Sequence, residues 1–479
     1  MDNKIPINQN LLFVGGDLSG IQKFLYNITS KKAAVSLKGR SKYLEMLIED
    51  VEKRILNLPP INNSFSYEVY ASGGKFYILV EDTPDIRQAI IDERSRIETE
   101  LWNEHHGQLS ISIGYVPFAF NNNKTIRIAN DNQAPLGSLW SEVNALFTQQ
   151  KNRKFESVIR KNYELFFGKQ SVGGDIHVCA ITGIESNDCI KLDKDIDGDE
   201  IYVLPSVKKQ IDLGIELRKQ QNFKTFEQYA GESWLGILRM DVDGLGKAFI
   251  KGFPTFDEYR AFSTLLTNFF KEKVFTIQAF DDYKEFLNII YSGGDDMFVV
   301  GRWDKVIDFS HVVRDAFISH INHSDITISG GIAIVNPKFP ISKAAELSGE
   351  AEDAAKTFRN GEKNAFNMFG ISISWDGEFK FVQDLKKKMC ELNKYNQMPT
   401  AILHRLILFN NMRQHNEMKY IWNTAYYLSQ FEKGKDSQIT QFCEQLKQQL
   451  LCSQNNNDRN YELIALAARW AEIEIRENN

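Results

Sequence analysis

Cysteine is scarce in this chain. Five are spread over 479 residues (Cys179, Cys189, Cys390, Cys443, Cys452), too few and too scattered for a disulfide framework. Proline is equally sparse, 11 in all, which argues against long linkers. No apolar run approaches the roughly 20 residues of a membrane span. The start, MDNKIPINQN, has neither the basic stretch nor the apolar segment of a signal peptide. Together these absences place the expected protein in the cytoplasm. Basic excess is missing too: the net charge is −6. That excludes coating nucleic acid through bulk charge, although local basic grooves stay open. What is present, 43% apolar and 25% charged residues, suits a globular chain. The length is about three times the usual ~150 residues of a domain, so several domains are expected.

The most informative feature is an internal repeat. Residues 11–24 read LLFVGGDLSGIQKF and residues 235–249 read LGILRMDVDGLGKAF. Each is an apolar run ending in Asp-x-(Ser/Asp)-Gly and followed by a helical period. The pattern predicts a buried strand that delivers a carboxylate, then a tight turn into a helix. YASGGKFYILV (70–80) echoes YSGGDDMFVVG (291–301), and LSISIGYVPF (109–118) echoes ITISGGIAIV (326–335). With the two Gly-Gly pairs aligned, the gap from the first aspartate is 56 residues in one copy and 52 in the other. Order β-α-α-β-β-α-β is the split βαβ, ferredoxin-like pattern. In the second copy ISKAAELSGEAEDAAKTF predicts the last helix, ended by Gly361 and followed by the strand NAFNMFGISIS. From about residue 378 strand signals vanish, and stretches such as ELIALAARWAEIEI predict a helical C-terminal domain.

The second copy carries the chemistry. Ser292-Gly293-Gly294-Asp295-Asp296 lies between the apolar runs FLNII and MFVVG. A Gly-Gly pair there fits a hairpin turn whose central residues take positive φ. Asp295 and Asp296, with Asp241 at the end of a neighbouring strand, are expected to converge at one sheet edge. Three carboxylates suit one or two Mg²⁺ or Mn²⁺ ions, with nucleotide phosphates completing the shells. Such ions activate an attacking 3′-hydroxyl and stabilise the leaving pyrophosphate. Phosphate binding is expected at the turn Asp243-Gly244-Leu245-Gly246, where backbone N–H groups of a helix start face the triphosphate. Lys247 is as easily a solvated first-turn side chain. Lys356 and Lys363, flanking the turn after the last helix, are candidates for the same phosphates. In the first copy the Gly-Gly alignment sets Lys75-Phe76 against Asp295-Asp296. Asp17 remains, but a single carboxylate beside a lysine does not hold two divalent ions, so this copy is expected to be silent. FFGKQSVGGD lacks the spacing of a P-loop.

The stretches DLSGIQKFLY…LKGRSKYLEML (17–47), MDVDGLGKAF, YSGGDDMF and AAK…GEKNAF together resemble the large signature subunit of type III CRISPR effector complexes, the Cas-ten family in its Csm form. The resemblance covers the chain from about residue 11 to its end. It implies an α+β protein with two tandem ferredoxin-like palm domains, a small degenerate zinc-ribbon-like insert and an all-α C-terminal domain. The spans expected are 1–169 (first palm, catalytically degenerate), 170–232 (insert), 233–377 (second palm with GGDD) and 378–479 (helical domain). The implied activity is conversion of ATP into cyclic oligoadenylates when guide RNA pairs with target RNA. Carried onto this sequence, the metal set is Asp241, Val242, Asp295 and Asp296, and the nucleotide set adds Ser292, Gly293 and Gly294 to the turn residues. The implied partners are guide and target RNA, a Cas-five-like subunit at the guide 5′ end, and a small helical subunit.

Two departures from the family pattern stand out. No His-Asp dipeptide occurs, so single-stranded DNA cleavage by an HD nuclease domain is not expected of this polypeptide. HVCAITGIESNDC offers His177, Cys179 and Cys189 without the Cys-x2-Cys pairs of a tetrahedral site, so zinc is not expected. DKDIDGDEIYVL (193–204) mimics a calcium loop, but its twelfth position is Leu204, and Pro205 is read as blocking an exiting helix. Lys31, Lys32, Lys38, Arg40, Lys42, Lys53 and Arg54 are either a charged helix face or a contact for guide RNA or a partner subunit. The competing functions are a GTP-using diguanylate cyclase and a non-catalytic scaffold.

Overall fold

A computed structural model describes residues 5–6, 9–29, 32–121, 125–129, 131–164, 176–192, 201–395, 398–415, 417–431, 438–452 and 457–478. It divides into two compact units, residues 1–328 with 335–347, and residues 329–334 with 348–479. The division differs from the domain spans read from the sequence, because it passes through the second repeat.

In the first unit, β1 (Asn10–Ser19) is the buried central strand that the LLFVGG run predicts. Hairpin strands β2 (Ser66–Ser72) and β3 (Lys75–Glu81) lie on one side of it, and β4 (Ser110–Phe120), β5 (Thr125–Ile128) and β6 (Asp131–Pro135) on the other. The order β2-β3-β1-β4, with helices Ala33–Leu56 and Pro84–His105 between strands, is the ferredoxin-like plan. Its core joins Leu12, Val14, Phe76, Ile78 and Ile113 of the sheet to Ile48, Val51 and Ile97 of the helices. The insert contributes two short hairpins, β7 (His177–Val178) with β8 (Glu185–Ser186), and β9 (Ile190–Leu192) with β10 (Ile201–Val203). Pro205 does not block a helix. It opens Pro205–Gln221 from the first-turn position, where its missing N–H has no partner to lose. The acidic positions of the calcium-loop mimic, 193–200, lie outside the described residues.

The second repeat copies the plan. Central strand β11 (Leu235–Asp243) pairs with β13 (Asp296–Arg302), which pairs with β12 (Leu287–Gly293). At the start of β14 (Thr327–Val335) the Thr327 hydroxyl donates to Asp243 at 2.9 Å. In the second unit, β14 pairs in parallel with β15 (Ala365–Met368), and β15 forms a hairpin with β16 (Ile371–Ser374). Among the described residues, helices Lys380–Lys394, Ala401–Gln414, Lys419–Ser429, Gln438–Lys447 and Asn457–Asn478 follow. Arg459 ties this region together, donating to both Glu378 oxygens, to the Ser372 carbonyl and to Glu462, all within 2.8 Å.

Candidate active site

The carboxylates are placed by strand register. Asp241 faces Asp296 across β11–β13, and the Val242 N–H donates to the Asp295 carbonyl at 2.7 Å. The turn between β12 and β13 is Gly294-Asp295, with Gly293 still paired to Asp296. Only Gly294 of the two glycines takes positive φ, +71°, which corrects the expectation that both do.

Burial, followed by the charges of Asp295 and Asp241, pushes the Asp296 carboxyl well above the ordinary aspartate range. The Tyr291 hydroxyl donates to Asp296 at 3.1 Å and lies 3.2 Å from the Tyr26 hydroxyl. Arg239, with its guanidinium 5.8 Å from the Tyr26 ring centre, is the cation that opposes the shift. Among the described residues no three His, Cys, Asp or Glu side chains close around an ion by themselves. Three mutually repelling oxygen donors nevertheless fit a hard divalent cation whose shell nucleotide phosphates complete.

The other expected residues are placed as follows. Ser292 donates to the Phe270 carbonyl at 2.8 Å. Asp243 is buried, Gly244 starts the helix Leu245–Lys251, Leu245 is buried within it, and Gly246 and Lys247 are exposed. Lys356 pairs with Glu352 at 2.6 Å. It and Lys363 belong to the second unit.

Register also corrects the alignment of the two repeats. Asp17 faces Lys75 as Asp241 faces Asp296, and the Leu18 N–H donates to the Gly74 carbonyl at 2.8 Å as Val242 donates to Asp295. Both hairpins carry a bulge at the same place, between Glu68 and Tyr70 and between Ile289 and Tyr291. The counterparts of Asp295-Asp296 are therefore Gly74-Lys75, not Lys75-Phe76. The bulge and its tyrosine set the frame, whereas the glycine pair misleads by one residue. Spacing also missed that Lys151 donates to the buried Asp17 carboxylate at 2.6 Å.

The two hairpin turns touch. A Cβ on Gly294 would stand 2.3 Å from the Gly73 Cα, and one on Gly73 would stand 3.2 Å from Asp295 Oδ1. Beside this contact is a cavity of about 190 Å³, lined from the first repeat by Gly73, Gly74 and Lys75 and from the second by Ser292, Asp295 and Asp296. Helix Ala33–Leu56 supplies its wall. There Glu52, 8% exposed, is pushed up to about 8 by burial and by the charges of Glu68 and Glu49. Lys271 reaches the same wall, pairing with Glu45 at 2.8 Å. Lys271 and Glu52 lie outside the quoted motifs, and Tyr26 and Arg239, though inside them, had no role assigned beforehand. Tyr291 was visible as the residue before the glycines.

A family model described as Csm1 subunit domain B matches residues 10–168, and one described as Cas10/Cmr2, second palm domain, matches residues 234–367. Three relatives share the name CRISPR system single-strand-specific deoxyribonuclease Cas10/Csm1 (subtype III-A). The Enterococcus italicus protein is 28% identical over 97% of this chain and 67% of its own length. The Streptococcus thermophilus protein is 25% identical over 98% and 68%. The Methanocaldococcus jannaschii protein is 27% identical over 80% and 64%.

The chain belongs to the Cas10/Csm1 family of type III CRISPR systems. It spans about two thirds of the length of these family members. A solved Csm1–Csm4 cassette in complex with pppApA superposes with a TM-score of 0.68 at 18% identity, covering 98% of this chain and 70% of that one. The cassette in complex with cA4 gives 0.67 at 18% identity over 98% and 70%. The cassette in complex with one ATP gives 0.66 at 18% identity over 97% and 70%. At these identities the superpositions establish the fold.

The basic cluster resolves into separate roles. Arg40 is buried and donates to the Phe24 and Asn27 carbonyls and to Gln210, at 2.5, 3.0 and 3.1 Å, so it is neither solvated nor available to RNA. Arg54 is held by Glu93 and Glu100, and Lys42 pairs with Glu45 at 2.9 Å. Lys31 lies outside the described residues. In the insert, Cys189 Sγ is 3.5 Å from the His177 carbonyl, and the His177 ring stacks on Tyr202.

Proposed function

We propose that this chain condenses ATP into cyclic oligoadenylate within a type III-A Csm complex. The observation that carries the reading is that Asp295 and Asp296 of one repeat and the turn Gly73-Gly74-Lys75 of the other line a single cavity. When bound, divalent ions would supply a nucleophilic 3′-hydroxyl and neutralise the leaving pyrophosphate. Asp241, Asp295 and Asp296, with Val242, would hold them. Lys75 stands where the second repeat has Asp296, and its side chain has no ion pair or hydrogen bond to another described residue. On this side the protein offers an ammonium where the other side offers a carboxylate. Lys75 would therefore meet the phosphates of one nucleotide without a metal, leaving the other nucleotide to the acids. Two nucleotides so placed would bring a 3′-hydroxyl against an α-phosphate, and positioning is most of what phosphoryl transfer requires.

The cavity is smaller than the roughly 300 Å³ at which small-molecule pockets begin. Loading a pair of nucleotides would require the touching hairpins to part. Target RNA paired to the guide would act there by favouring the parted state. The names of the relatives support membership of a subtype III-A CRISPR system, and the Csm1–Csm4 structures support a Csm4-like neighbour. The test is ATP turnover by the assembled complex with Mg²⁺ or Mn²⁺, with and without target RNA. Asp295→Ala with Asp296→Ala should cut it at least about 100-fold. Unchanged turnover in that variant sinks the assignment, and equal turnover with and without target sinks the regulation. Products made from GTP but not ATP would establish the diguanylate-cyclase alternative. We expect no degradation of single-stranded DNA, and degradation that survived both substitutions would locate a nuclease site elsewhere in the chain.

A further inference from the structure

A second pocket lies apart from the acids. It measures about 700 Å³ and is walled by the first repeat's helix Ala33–Leu56, by the end of Pro205–Gln221 with the loop after it, and by the segments preceding β12. Lys38 forms part of it. This lysine is 6% exposed and makes no hydrogen bond or ion pair among the described residues. Its ammonium sits 5.9 Å from the ring centres of both Phe223 and Phe275. Burial lowers its pKa to about 8, so it is mostly charged at neutral pH.

An ammonium withdrawn from water without an anion is costly, and two rings at the outer limit of cation–π distance offset only part of that. Arg218 lines the same pocket, exposed and likewise without an ion pair. Lys224 and Lys284 add charge but already have carboxylate partners, Glu285 at 2.7 Å and Asp281 at 2.6 Å. The pocket therefore holds four cations against one lining carboxylate, Glu285. Beside Lys38, the side-chain amide nitrogen of Asn288, 5% exposed, has no hydrogen-bond partner among the described residues. Two buried donors without acceptors, facing one hollow, describe a missing acceptor group.

We propose that this pocket binds a nucleoside phosphate, with the phosphate on Lys38 and Arg218 and the base against Phe223 and Phe275. Volume and lining both favour it over a bare inorganic ion. The hollow is several times larger than a phosphate, and aromatic faces with side-chain amides suit a base. The ligand would touch both repeats at once, so binding would brace one against the other.

The test uses the full chain carrying Asp295→Ala and Asp296→Ala, in EDTA, so that the acid site is silent. Binding is read with AMP and with a short 5′-phosphorylated oligoribonucleotide as probes. Lys38→Met keeps the packing volume and removes the lone charge. It should raise the melting temperature of the free protein while weakening probe binding at least tenfold. Arg218→Ala, at the rim, should weaken binding similarly without affecting folding. Loss with AMP assigns a free nucleotide, and loss with the oligonucleotide alone assigns a strand terminus. Either supports the site. Binding unchanged in both variants, or no binding of either probe at millimolar concentration, overturns it.

Discussion

At the scale of single residues, the site turns on charges held where water cannot screen them. Glu52 and Asp296 both have carboxyls raised by burial and by like charges around them. For such a group the folded state holds its proton more tightly than the unfolded chain. The group's contribution is therefore fully favourable below the unfolded value, about 4.3 for Glu, and is lost as pH rises through the folded value, about 8 for Glu52. Without divalent ions the melting temperature should fall as pH rises from about 4.3 to about 8, and Glu52→Gln should flatten that slope. Parallel profiles for wild type and variant would show that Glu52 is solvated. Lys75 tests the other polarity. Lys75→Met should leave the melting temperature unchanged and slow ATP turnover about tenfold, the worth of one charged hydrogen bond. Unaltered turnover would remove Lys75 from the phosphate role.

At the scale of elements, two hairpins of the same design meet at their turns, and their glycines differ in consequence. Gly294 has φ +71° and no room for a Cβ against Gly73, whereas a Cβ on Gly293 meets nothing within 4 Å. Gly294→Ala should cost roughly 1–3 kcal/mol in backbone strain alone. Gly293→Ala should fold normally. Melting curves of the two variants check this, and equal tolerance would mean that the turns do not touch. These elements also show what was legible beforehand. Apolar runs ending in aspartate fixed both central strands, since a strand buried on both faces has few ways to read otherwise. The three acids followed from that frame. Hairpin register did not, because a bulge is a local backbone event with no composition of its own. Aligning glycines therefore paired Asp296 with Phe76 rather than Lys75. Lys151 is remote in sequence from the motifs, and only the packing brings it beside Asp17. Arg239 lies two residues before Asp241, but that its charge acts on Asp296 follows from strand pairing and not from spacing. Pro205 was misread because proline breaks a helix interior but suits its first turn.

At the scale of the whole molecule, duplication has given one chain two versions of the same strand-and-hairpin edge with opposite charge. One presents Asp241, Asp295 and Asp296. The other presents Lys75 and an Asp17 already neutralised by Lys151. The account's central claim is that these edges work together as one site for ATP condensation. The most direct measurement is mass spectrometry of the products formed from ATP and Mg²⁺ by the target-bound complex, comparing wild type, Asp295→Ala with Asp296→Ala, and Lys75→Met. The account predicts 3′–5′-linked oligoadenylates from wild type, none from the double variant and a reduced yield from Lys75→Met. Oligoadenylates made at the wild-type rate by the double variant would contradict it.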